Sequence, residues 1–435
     1  MSKGNGTILA TKPPAIADTN GRPSRPFKRP GVTMKLQQLN HQAKIALGAR
    51  TCDQAYTGPL YVQVGVVNSC NYRCQFCWDH PSYVDKESPY PDFIAEKYYH
   101  DHPEIDRNKA HMRFDMFTGL VDDLHEMGTR KLKFIGRGES FLHRRFTDLV
   151  AYARSKDFNC SITTNGSLIT DEQVEDLVRM GLAEIFVSVN AGSPRSYAEI
   201  HRGVKPDAFD KIKHTLSEFT RQKKRQGTEF PYMHLSFVIQ NNNYFEMPDM
   251  VRLAHEVGAQ RVAFNRISIY EGTKFLMLND EQNEEALNRH LVEAERLGEQ
   301  LGIMTNADLF RARPGDELRS AKVHSTIPCY IGWYFSIILA DGTVNPCCEC
   351  LRALGTLQTH RFKDVWFGEE YRRFRGEITD LPNSGHEVSG CRCYNCSFAL
   401  HNASMHRFVH PIAASRNGGP GAGYGLKDLK RFVLG

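Results

Sequence analysis

A short strand, an amphipathic helix and a closing glycine, repeated along one stretch of chain, leave few folds open, and this sequence repeats them from Tyr61 to about residue 268. Each unit opens with a β-branched run, continues with apolar residues three or four apart, and ends on Gly before the next strand. In RFDMFTGLVDDLHEMG, the residues Phe114, Phe117, Leu120, Val121, Leu124 and Met127 share one helical face, and Gly128 ends the helix before KLKFIG. DEQVEDLVRM follows the N-cap Thr170 and stops at Gly181, and MPDMVRLAHEV stops at Gly258. Strands are expected near 60–67, 131–136, 159–163, 184–190, 232–240 and 260–268. Strands separated by helices pair in parallel, which predicts an α/β protein with either an open doubly wound sheet or a partial barrel. Both place a ligand at the carboxyl ends of the strands.

The first strand runs directly into CNYRCQFC, which carries Cys70, Cys74 and Cys77 in CxxxCxxC spacing. The chain has no apolar run near the roughly 18 residues of a membrane span and no apolar N-terminal core of a signal peptide, so the expected setting is the cytoplasm. There, twelve cysteines read as metal ligands before disulfides. A cubane 4Fe-4S cluster ordinarily takes four thiolates, and a loop offering three leaves one iron open. The other reading of this loop is a zinc site with His80 as fourth ligand.

CxxxCxxC after the first strand of a βαβ series, with Phe76 before the third cysteine, resembles the radical S-adenosylmethionine (radical SAM) superfamily. The resemblance implies a partial (β/α)6 barrel of the TIM type over 58–310. It also implies a cluster whose open iron holds S-adenosylmethionine, and a 5′-deoxyadenosyl radical that takes hydrogen from the substrate. FIGRGES resembles the family's GGEP motif at Gly136, Gly138 and Glu139, with Glu139 expected to accept from the methionyl ammonium; Arg137 and Ser140 depart from that motif. By the same resemblance, Thr164 and Asn165 of the TNG turn, and Ser188 and Asn190 at a later strand end, are candidate ribose contacts. Asn190 stands where an aspartate is usual. Arg202 matches an arginine found near the cofactor carboxylate. Each of these also reads as turn chemistry or a solvated charge.

The segment from Cys329 runs twelve residues to Gly342 and four more to Cys347, and Cys393 and Cys396 follow as CYNC. This resembles the SPASM extension in its shorter twitch form, which implies a small cysteine-rich domain over 311–411 and a second, auxiliary 4Fe-4S cluster on Cys329, Cys347, Cys393 and Cys396. A full SPASM pattern has a cysteine six residues beyond Cys396, where this chain has Asn402. Cys347, Cys350, Cys393 and Cys396 equally satisfy a four-cysteine zinc ribbon. The spare residues Cys348, Cys350 and Cys391 are able to exchange into the ligand set.

The remaining chain is expected to be a disordered basic arm over 1–57 and a Gly-rich linker with a tail helix over 412–435. The aromatic insertion after Cys77 leaves the strand end beside the cluster, and residues 84–105 are expected to cover substrate. A net charge of +5 from 55 basic and 50 acidic residues does not call for nucleic acid as partner. The expected partners are a small-molecule or peptide substrate and an electron donor such as flavodoxin or ferredoxin. The first reading of function is hydrogen abstraction from a small polar, sugar-like substrate. The others are maturation of a ribosomally made peptide and a non-catalytic iron-sulfur or zinc regulator.

Overall fold

The computed structural model describes residues 32–77, 79–80, 110–268, 271–310, 324–350, 352–384, 388–391, 393, 396 and 398–410. The expected strands are present as β1 Tyr61–Val64, β2 Lys131–Phe134, β3 Asn159–Thr164, β4 Glu184–Ser188, β5 Tyr232–Ile239 and β6 Arg261–Arg266. They pair in parallel in chain order. A sheet that always adds its next strand on the same side, through right-handed crossovers, puts every helix on one face. Leu132, Phe134, Ile162, Ile185, Val187, Leu235 and Phe264 alternate onto that face and are buried. The opposite face is the concave interior of a partial barrel.

The helix signals are realised as read. Asp171–Arg179 starts on a reciprocal capping box between Thr170 and Gln173, and Gly128, Gly181 and Gly258 take positive φ angles of 88°, 70° and 73°, conformations that suit glycine.

One expectation about the flanks is corrected. The arm expected over 1–57 contains the helix Val32–Thr51. Its Ile45 and Ala49 are buried, and it packs against Ile331–Tyr334 and Ala399–Val409, so a sparse apolar stripe finds its partner only in distant chain. The small cysteine-rich domain is joined to the barrel through one continuous sheet. Phe335–Ile338 (β7) pairs in parallel with β1, and Thr343–Asn345 (β8) and Gly355–Thr356 (β9) extend the same sheet antiparallel, giving the order β9-β8-β7-β1-β2-β3-β4-β5-β6. One apolar core runs through both halves. The segment expected to cover substrate and the tail over 412–435 lie outside the described residues.

Candidate metal centres and cofactor pocket

The Cys70–Cys77 loop is held at the carboxyl end of β1 by backbone pairing. Arg73–Cys74 forms a two-residue antiparallel ladder with His201–Arg202, and Gln75 N–H donates to Ile200 carbonyl at 3.0 Å. Each sulfur has a polar neighbour. Cys70 Sγ accepts from Tyr72 N–H at 3.5 Å and faces the Asn165 amide at 3.9 Å. Cys77 Sγ accepts from His80 N–H at 3.2 Å. Cys74 Sγ lies 3.0 Å from His201 Nδ1. His201 Nε2 faces the Val189 carbonyl at 3.0 Å; a carbonyl only accepts, which assigns the proton to Nε2 and makes Nδ1 the acceptor for the Cys74 thiol. Burial holds that imidazole down at about 4. His201 carried no signal in the sequence.

Burial, and then the neighbouring sulfurs and Asp79, push these thiols up: Cys77 to about 12 and Cys74 well above the ordinary thiol value. Ionised sulfur therefore requires a strong electrophile in the loop, which coordinated iron provides. Among the described residues, no three His, Cys, Asp or Glu side chains converge as ligands of a single metal ion. A cubane assigns each thiolate to a different iron and accepts a wider arrangement. The donor chemistry of Cys70, Cys74 and Cys77 fits a cluster.

Above the loop, Glu139 is 3% exposed and tied at both oxygens. Oε1 accepts from Thr164 Oγ1 at 2.7 Å and Phe141 N–H at 3.2 Å, and Oε2 accepts from Asn165 N–H at 2.8 Å. Burial nonetheless raises its pKa; an ammonium brought beside it would restore the charged form. The glycines of this motif are sterically required: a Cβ on Gly138 would stand 2.3 Å from Ser69 carbonyl oxygen, and one on Gly136 would stand 2.4 Å from Gly65 Cα. Arg137, the departure from the family pattern, reaches Asp79 at 3.8 Å.

Thr164 and Asn165 are occupied with protein. Besides Glu139, Asn165 Nδ2 donates to Asn71 Oδ1 at 2.9 Å and its Oδ1 accepts from Ser167. Asn190 adopts φ 59°, accepts from Val238 N–H at 3.0 Å, and leaves Nδ2 buried without a partner among the described residues. That orphaned donor beside the carboxyl end of β4 fits a polar cofactor. Ser188 is the last residue of β4, Phe76 lies edge-on to His201 at 6.4 Å, and Arg202 sits in the ladder beside Cys74.

In the second set Cys329 is buried, Cys347, Cys393 and Cys396 are half-buried, and Cys348 is exposed. Burial raises the Cys329 and Cys347 thiols; next come Cys396 for the first, and Cys348 followed by Cys329 for the second. Cys396 is pushed up to about 12 and faces His324 Nε2 at 3.3 Å. The reading of the cysteines as metal ligands before disulfides is corrected at one pair: Cys350 and Cys391 form a disulfide, because an antiparallel bridge sets them side by side. That removes Cys350 from the zinc-ribbon set and both residues from the spare pool. Cys329, Cys347, Cys348, Cys393 and Cys396 form no disulfide among the described residues. Asn402, at the missing cysteine position, is fully buried and accepts from Tyr330 N–H at 2.8 Å.

Three-cysteine loop, glycine-framed carboxylate and second cysteine group on one partial barrel define an iron-sulfur enzyme of the radical SAM class. The radical SAM superfamily model matches residues 64–254 and the SPASM iron-sulfur cluster-binding domain matches residues 329–397; the chain belongs to the radical SAM superfamily and carries a SPASM domain. It is similar to the tungsten-containing aldehyde ferredoxin oxidoreductase cofactor-modifying protein of Pyrococcus furiosus, 21% identical over 336 residues, which span 72% of this chain and 83% of that protein. It is also similar to the PqqA peptide cyclase of Xanthomonas campestris pv. campestris, 26% identical over 321 residues, 68% of this chain and 79% of the cyclase. In fold it resembles Streptococcus suis SuiB bound to precursor peptide SuiA, with TM-score 0.53 and 15% identity over 86% of this chain and 78% of that one.

Proposed function

We propose that this chain is a cytoplasmic peptide-modifying radical SAM enzyme. The chemistry rests on the Cys70–Cys77 loop standing against the buried Glu139 at the strand ends, and the substrate class rests on the similarity to PqqA peptide cyclase. The sugar-like substrate of the first reading gives way to a peptide on that similarity.

When bound, the cluster and S-adenosylmethionine supply a 5′-deoxyadenosyl radical that takes one hydrogen atom from the substrate. The chain does the rest. Cys70, Cys74 and Cys77 hold the cluster, and Tyr72 and His80 backbone N–H groups donate to the sulfurs, which stabilises their charge. Glu139 accepts from the methionyl ammonium while Thr164 and Asn165 fix its carboxylate. Asn190 Nδ2 and Ser188 are placed for the nucleoside, and Arg202 for the cofactor carboxylate. Cys329, Cys347, Cys393 and Cys396 would hold the auxiliary cluster, which would supply an acceptor for the second electron of an oxidation, with flavodoxin or ferredoxin as the donor of the first.

The test is anaerobic reconstitution followed by incubation with S-adenosylmethionine, dithionite and short peptides encoded beside this gene. Stoichiometric 5′-deoxyadenosine with a peptide lighter by two hydrogens is expected. Abundant 5′-deoxyadenosine with modification of a non-peptide substrate only would overturn the substrate class.

A further inference from the structure

The concave face of the sheet carries a cation, Lys133, that no carboxylate among the described residues pairs with at ion-pair distance. The register sets Lys133 beside Ser161 and Ser161 beside Glu184 in one rung, and Thr163, Phe186, His234 and Arg261 in the next rung toward the cofactor end. Lys133 Nζ stands 4.3 Å from the Phe186 ring centroid. His234 stacks on the same ring, with centroids 4.3 Å apart and planes at 9°.

A cation over an aromatic face recovers part of its lost hydration, but the charge still requires an anion. Among the described residues, no carboxylate lies within ion-pair distance of Lys133. Glu184 is the acidic group that both Lys131 and Lys133 feel, and burial, the larger effect, pushes both ammonium groups down. Glu184 is in turn approached by His234 Nε2 at 3.4 Å. Lys133 and His234 thus draw on the same carboxylate among the described residues.

Unmet hydrogen-bonding capacity lies in the same place. Among the described residues, Thr163 Oγ1 is buried with no partner, and so is Nδ1 of His234, a residue 6% exposed. Buried polar atoms left open beside an under-neutralised cation mark a place where a ligand completes the set. Lys133 precedes Gly136 by three residues in KLKFIG, so an anion held there lies below the carboxyl ends of the strands, where the cofactor motif begins.

The geometry points to a carboxylate-binding site on this concave face, in which Lys133 anchors a carboxylate of the substrate and Thr163 completes its hydrogen bonds. The inference rests on the peptide reading, which makes that group either an acidic side chain or a C-terminal carboxylate. Recognition of a fixed anion would set the distance between the abstracted hydrogen and the radical source, so Lys133 is a specificity-determining residue.

The test compares three probes on the reconstituted holoprotein by titration calorimetry: N-acetylglutamate amide, with a side-chain carboxylate; N-acetylglutamine, with an α-carboxylate; and N-acetylglutamine amide, with neither. Tighter binding of the first than the third, by about 30-fold, is the result expected for an acidic side chain. The same margin for the second assigns a C-terminus. Lys133→Met abolishes the preference and Lys133→Arg retains most of it. Equal binding of all three probes to the wild-type chain overturns the site, as does an undiminished preference in Lys133→Met; the wild-type comparison decides even if the Met variant loses iron. Formation of 5′-deoxyadenosine without peptide modification would sink the peptide reading alone, because the probe preference is measured without turnover.

Discussion

Replacement of Glu139 by Gln tests the cofactor pocket at its most constrained atom. In the native chain Oε1 accepts from Thr164 and Phe141 and Oε2 accepts from Asn165 N–H. A glutamine satisfies the first pair with its single oxygen and then points an amide donor at the Asn165 donor. One buried N–H is left unmet, a cost of about 1–3 kcal/mol in stability. The ammonium of S-adenosylmethionine loses a charged acceptor as well, and hydrogen bonds to charged groups contribute about 1.5–3 kcal/mol. The expected result is a rise in the dissociation constant of S-adenosylmethionine by about 10- to 150-fold. Equilibrium dialysis on anaerobically reconstituted protein, at iron content matched to wild type, measures it, with a urea midpoint read in parallel. A variant with a lowered urea midpoint but a dissociation constant within about twofold of wild type would show that Glu139 only ties the β3 turn to the loop and does not meet the cofactor.

Further outcomes are expected elsewhere. Gly138→Ala forces a methyl group into Ser69 and Val67 carbonyl oxygens, at 2.3 and 2.6 Å, and should lower iron retained after reconstitution; wild-type iron content in a folded variant would contradict the close packing of the loop. Cys329→Ala with Cys347→Ala should reduce iron from about eight to about four per chain, and an unchanged iron assay would remove these residues from the auxiliary set. His41, His401 and His406 are each held down at about 4, chiefly by burial. The unfolded chain takes up those protons first, near about 6.5, so stability falls as pH drops from about 7 toward about 4. A denaturant midpoint that stays level or rises between pH about 7 and about 5 would refute this.

The barrel strands were legible because local punctuation marks most of them: glycines at positive φ before β2, β4, β5 and β6, and buried residues alternating along β3 and β4. The Cys70–Cys77 loop and the Gly136–Glu139 segment were legible because their spacing is local. What escaped is non-local. Helix Val32–Thr51 has an apolar stripe too thin to read without its partners near Ile331 and Ala399. The pairing of Cys350 with Cys391 depends on a bridge between segments 41 residues apart. His201 carried no signal until the ladder placed its ring against Cys74. The lysines of β2 alternate as any half-exposed strand does, and only the neighbouring strands reveal that Lys133 faces Phe186 rather than water.

The pairing of β1 with β7 bears on how the chain is made. Tyr61 to Val64 take Phe335 to Ile338 as neighbours on one side, so a ribosome that has delivered the whole barrel has still left the first strand with a bare edge. That edge sits directly before the three-cysteine loop. Until residues beyond Phe335 emerge, the nascent barrel exposes a strand that another chain can pair with. Because the pairing is distant in sequence, closing it is among the slow steps. Overproduction in a host that translates quickly and supplies iron slowly is therefore expected to favour inclusion bodies, with cooler, slower expression shifting chains to the soluble fraction. A fragment truncated before β7 should aggregate even though it contains every residue of the S-adenosylmethionine pocket.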